Sequence, residues 1–253
     1  MSKPTIALVP GAWHTPAHFE EFLAIFEKAG YPTKALQLPS VGASDPNVHT
    51  IETDAAVVRE QLLLPLLDAG QNVVLVMHSF GGCVGSVAAR GLSKKERGSS
   101  GGVVGLVFLA AFLARESLSL LNALGGEFHP WVKIHENGQL EIEKDNAMEL
   151  FFHDVPTDVA EKAFAGCKPQ SKAALSSASS APAWADEFYN GRRGYVRCTL
   201  DRVTTPEIQD LMISKSGVEW NVQNIESGHS PQLSHPQQLV DIIIGMIDSV
   251  WTA

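Results

Sequence analysis

With 253 residues, 45% of them hydrophobic and 19% charged, the chain can bury a sizeable core in one α/β domain, which excludes wholesale disorder. Its net charge of −9 argues against nucleic acid or an anionic membrane surface as a partner, since the one basic cluster is Lys94-Lys95-Glu96-Arg97 in a Ser/Gly-rich stretch.

Short β-branched runs alternate with helical patterns, the signature of a parallel sheet covered on both faces. The first strand reads TIALVP (5–10). A helix follows from Pro16, with Phe19, Leu23 and Phe26 on one face and Gly30 at its end. KALQLP (34–39) is the second strand; beyond a Gly/Asp/Pro-rich loop comes a helix with Ile51, Ala55, Val58, Leu62 and Leu66 at three-and-four spacing. NVVLVM (72–77), apolar on both faces, reads as a central strand. The small residues Gly81, Gly82, Cys83, Gly85, Ser86, Ala88 and Ala89 then suit a helix lying close on the sheet. The loop SKKERGSSGG leads to a fourth strand, VVGLVFLAAF (103–112).

Residues 114–192 break this rhythm and read as an inserted helical cap, leaving 1–113 and 193–253 as the core. The cap carries aromatic patches at His129-Pro130-Trp131 and Phe151-Phe152-His153. It also carries the tract KAALSSASSAPAW, whose flanking Trp184, Phe188 and Tyr189 argue for packing rather than a free linker. Strands resume at YVRCTL (195–200) and WNVQNI (220–225), and a last helix begins at Ser234-His-Pro-Gln237, a start with Pro in the first turn.

Cys83, Cys167 and Cys198 are widely spaced and form no CxxC pair, so neither a metal site nor a disulfide framework is expected. The longest apolar run, 103–114, is too short to span a bilayer, and the N-terminus reaches its first strand without a signal-peptide core. These features predict a cytoplasmic protein with no cofactor, no metal, no membrane and no nucleic acid, acting on a small molecule; monomer and homodimer are both open.

In an open α/β sheet, chemistry collects at the carboxyl ends of the strands. The third strand ends at MHSFGG (77–82), the fifth runs into CTLDRVTTP (198–206), and the sixth is followed by ESGHSP (226–231). A serine hydroxyl is a weak nucleophile near neutral pH, so a histidine must take its proton and a carboxylate must orient that histidine. Ser79, His229 and Asp201 are the candidates; the alternatives are a helix-capping serine, a loop histidine and a turn-capping aspartate, with Glu207, Asp210 and Glu226 as other acids nearby. Oxyanion donors are expected from the backbone N–H groups of Phe80, after the nucleophile, and Ala12, after the first strand. His78 and Cys83 read as structural.

VPGAWH (9–14), MHSFGG, CTLDRVTTP and ESGHSP together resemble the α/β-hydrolase superfamily, most closely the branch of plant methylesterases, hydroxynitrile lyases and microbial carboxylesterase-like proteins. The resemblance implies a mostly parallel six-stranded sheet with helices on both faces and an inserted helical cap. It also implies a serine hydrolase cleaving a small to medium, mainly apolar carboxylic ester or lactone through an acyl-enzyme. A lyase or cyclase using the same three residues, or a ligand sensor on this fold, are the alternatives. Two positions depart from the pattern: Met77 stands where a glycine is usual, which implies an adjusted turn, and Ser230 stands where the lyases carry lysine, which counts against cyanohydrin cleavage. Trp131, Phe151, Phe152 and Trp184 are expected around the substrate pocket or in packing between cap and sheet, and His14 at the pocket or in a surface or structural role.

Overall fold

The computed structural model describes residues 3–250, with the side chain of Val250 left aside. Among the described residues nine strands form in chain order: β1 Thr5–Val9, β2 Thr33–Ala35, β3 Val73–His78, β4 Val103–Leu109, β5 Val132–Ile134, β6 Gln139–Ile142, β7 Gln170–Ser171, β8 Arg193–Cys198 and β9 Asn221–Ile225. Six of them make one all-parallel sheet in the order β2-β1-β3-β4-β8-β9. The strands expected from the sequence are those of this sheet, each displaced by no more than a few residues.

Both faces of the sheet are buried, which is why its central strands are apolar without alternation. In β3, Val73, Leu75 and Met77 join one apolar cluster while Val74 and Val76 join the other. The register slips between Val73 and Val74, which pair with Val103 and Gly105. This bulge sends Leu106 and Phe108 to the first cluster and Val107 and Leu109 to the second.

Helix α1 (Glu20–Lys28) covers the second cluster with Phe22 and Phe26, so Phe22 takes the buried place expected of Leu23. The chain reverses at Gly30, whose φ of 83° suits a residue without Cβ. On the opposite face lie α2 (Ile51–Val57), α3 (Leu64–Asp68) and α4 (Gly81–Ala88). A π-helical turn over Val58–Leu63 separates α2 from α3. Pro65 has no N–H to donate there, and the wider turn advances the stripe, so Leu67 is buried in place of Leu66. Helix α5 (Pro206–Lys215) joins β8 to β9, and α6 (Pro236–Val250) returns to pack beside α1, burying Leu239, Ile243 and Met246. Among the described residues no helix is long and apolar enough to cross a membrane.

The segment between β4 and β8 carries short helices and, beyond the helical expectation, an antiparallel sheet β5-β6-β7. Its hairpin turns at Asn137-Gly138, where Gly138 has φ 87° and His135 N donates to Gln139 O. Asn-Gly between two short apolar runs is a strong hairpin signal, legible in ENGQLEI but not drawn from it.

Candidate active site

Ser79 follows the last residue of β3 and has φ 52°, a left-handed conformation that costs a non-glycine residue on the order of 1–3 kcal/mol. The turn is held from both sides: Ser79 N donates to Leu109 O, and Gly82 N and Phe112 N donate to Ser79 O. It needs Gly81, because a Cβ there would stand 2.4 Å from Val9 O. A serine strained at a strand-to-helix turn presents its hydroxyl at the carboxyl ends of the strands; Ser79 lines the pocket there although it is only 6% exposed, and the N-cap of α4 is Phe80 rather than the serine.

Met77 is accommodated elsewhere. Its side chain lies against α4 where Gly85 leaves room, a Cβ on Gly85 falling 2.7 Å from Met77 Cγ and Sδ. The glycine usual before the serine is in effect moved a turn into the helix.

Asp201 lies beyond the end of β8 and divides its two oxygens. Oδ1 accepts from Val203 N and Thr204 N at 2.8 and 3.0 Å, while Oδ2 lies 2.8 Å from His229 Nδ1. The aspartate therefore caps its own turn and orients the histidine at once. Glu207 and Asp210 are exposed on α5, and Asp210 pairs with Arg197. Since a carboxylate only accepts, His229 Nδ1 carries a proton toward Asp201, which leaves Nε2 as the ring nitrogen able to take one. That Nε2 is buried and has no hydrogen-bond partner among the described residues.

Besides Asp201, three elements hold His229 and its loop. His78 Nε2 donates to His229 O at 2.9 Å, joining the serine's neighbour to the histidine loop. Phe151 stands edge-on to the imidazole, with centroids 5.2 Å apart. Asp154, from the inserted segment, accepts from Gly228 N at 2.7 Å and Ser227 Oγ at 2.9 Å. Without a side chain, Gly228 lets the loop lie close against the inserted segment, where a Cβ would stand 2.6 Å from Asp154 Oδ1 and His153 Cε1 and push those side chains aside. Burial works against the Asp154 carboxylate, yet the hydrogen bonds from Gly228, Ser227 and Ser234 leave its pKa below the ordinary value.

Burial also pushes His14 and His78 well below the ordinary imidazole range, helped by neighbouring imidazoles, so both are neutral. Cys83 is pushed up to about 12 by burial and is inert packing. The N–H groups of Ala12 and Phe80 donate to no acceptor among the described residues, and both residues line the pocket that holds Ser79.

That pocket is walled by Trp13, Phe112, Leu120, Phe128, Trp131 and Ile208. Of the aromatics expected there, Trp131 is present. His14 and Phe151 line a neighbouring cavity behind Trp13, and Trp184 lines a third, its Nε1 donating to Ala114 O. Trp13 divides the first two cavities, locked by Nε1 donating to Leu140 O at 2.9 Å. Sequence reading missed Trp13, Leu120 and Phe128; only Trp13, inside the quoted VPGAWH, carried a usable signal.

Known proteins resemble this chain in sequence and fold. Residues 6–242 match the alpha/beta hydrolase family. The chain is 29% identical over 251 residues to the alpha/beta hydrolase nvfD of Aspergillus novofumigatus, covering 98% of this chain and 96% of that protein. It is 24% identical over 262 residues to methylesterase 1 of Arabidopsis thaliana, covering 97% of each. The crystal structure of polyneuridine aldehyde esterase superposes with a TM-score of 0.76 at 18% identity, over 96% of this chain and 99% of that one. The chain belongs to the alpha/beta hydrolase family.

Proposed function

We propose that the protein is a serine hydrolase that cleaves a mainly apolar carboxylic ester or lactone through an acyl-enzyme. The observation that carries this reading is His229, whose Nδ1–H is committed to Asp201, whose Nε2 has no partner among the described residues, and whose carbonyl is bonded by His78, the residue before the strained Ser79. Ser79 Oγ attacks the carbonyl carbon as Nε2 takes its proton. The tetrahedral oxyanion is held by the Ala12 and Phe80 amides, each worth about 3 kcal/mol in such sites. Collapse expels the alcohol, protonated by His229, and water repeats the sequence on the acyl group. The apolar walls around Ser79 favour an apolar substrate, and the esterase names among the relatives agree with ester cleavage.

Replacing Ser79 by Ala should keep the fold and lower turnover of a p-nitrophenyl ester by on the order of 10⁴. Near-normal turnover in a folded variant defeats the mechanism. In heavy-oxygen water, label should enter the carboxylate product; clean turnover without label would point to a lyase or cyclase reaction on the same residues.

A further inference from the structure

The cavity lined by Trp184 adjoins the Ser79 pocket and shares Phe112, Leu120, Leu124 and Ile208 with it, so these side chains stand between the two. Beyond them the cavity continues over Trp184 and Leu211. Leu124 and Leu211 are 37% and 50% exposed, an apolar surface on both banks that leads outward from the serine. Leu124 precedes Gly125 and Gly126, both at positive φ, so the bank it forms is a short loop-borne wall rather than a sheet face.

The charges along this path are one-sided. Arg115 and Lys215 line the outer cavity, and among the described residues no Asp or Glu does. Neither cation makes an ion pair or a side-chain hydrogen bond among the described residues, although acids outnumber bases by 28 to 19 in the chain. The one acid on the pocket itself, Glu127, lies on the Ser79 side of the leucine partition. An apolar stretch ending in two unpaired cations is complementary to an amphiphile whose anionic end lies remote from its scissile bond.

We propose that the substrate is an elongated ester or lactone whose apolar body crosses the Leu120/Leu124 partition and whose far end carries a carboxylate held by Arg115 and Lys215. This rests on the hydrolase reading for the bond cleaved, but not for the binding.

Binding and turnover are therefore read separately. With the Ser79→Ala protein, the monomethyl ester of a long dicarboxylic acid should bind about tenfold more tightly than the methyl ester of the matching monocarboxylic acid, by calorimetry at low salt. In the Arg115→Ala/Lys215→Ala background this ratio should fall to about one, and raised salt should erode it in the parent. Arg115→Lys should keep it and Lys215→Glu should invert it. Because both ligands are measured on each variant, a general loss of folding cannot imitate the result.

With the Ser79 protein, kcat/KM for p-nitrophenyl esters should favour the ω-carboxylate over the neutral series only once the chain is long enough to reach the cations. Equal binding of the two methyl esters, or a preference that survives the double variant, overturns the proposal while leaving ester hydrolysis intact. A charge-dependent binding preference without any turnover supports the anion site and defeats the hydrolase reading instead.

Discussion

Met77 and Gly85 form one packing unit. Giving Gly85 a Cβ places it 2.7 Å from the methionine thioether in a region with no solvent exposure, and overpacking of this kind costs about 1–3 kcal/mol. Met77→Ala alone opens a cavity and should cost about 2–5 kcal/mol. Combined, the alanine at 85 fills part of the space released at 77, so the double variant should be more stable than the sum of the two by about 1 kcal/mol or more in urea unfolding. Additivity would mean that the methionine is held elsewhere and that Gly85 has no part in seating the turn.

Between elements, two carboxylates tie the inserted segment to the core. Asp154 grips the loop immediately before His229. Asp154→Ala frees a buried amide and should lower kcat at least tenfold with little change in KM, whereas Asp154→Asn keeps one acceptor and restores part of it. A variant that melts earlier but turns over normally would show a purely structural tie.

Asp54 of α2 accepts from Ser40 N and Oγ, and Ser40 Oγ in turn accepts from Gln170 of β7. Burial raises Asp54 from 3.8 to about 6, against the hydrogen bonds from Ser40, which lower it. The folded protein thus holds this proton more tightly than the unfolded chain. The stabilisation is complete below about pH 4 and is lost as pH rises to about 6, amounting to roughly 3 kcal/mol across that window. Asp54→Asn should remove that slope from the pH dependence of unfolding free energy; parallel curves for the two proteins would refute it.

For the molecule as a whole, one apolar cluster runs from Ala7, Val9 and Met77 of the sheet through Leu140, Phe151 and Trp184 of the inserted segment. With no break in that core, the inserted segment should not melt by itself. Calorimetry should show a single transition, and Leu140→Ala should move its midpoint rather than split it. A separate early transition would mean that the segment is an independent unit.

The sequence by itself determined the six parallel strands, their flanking helices and the serine, aspartate and histidine at three strand ends. Those features are local: strand runs show as unbroken apolar blocks, helix stripes as three-and-four spacing, and the turn chemistry sits beside the residue it serves. Even so, local pattern slipped by one residue at the π-turn before Leu67 and overlooked the Asn137-Gly138 hairpin. The tertiary structure alone decided what faces Ser79. The pocket draws on residues 12–13, 79–80, 112, 120–132, 175 and 203–208, brought together by packing across the chain. An aromatic there looks in sequence like one that fills the core, so Phe151 and Trp184 could not be told apart from Trp131. The same holds for Asp154, since its acceptor role exists only once Gly228 has been folded against it.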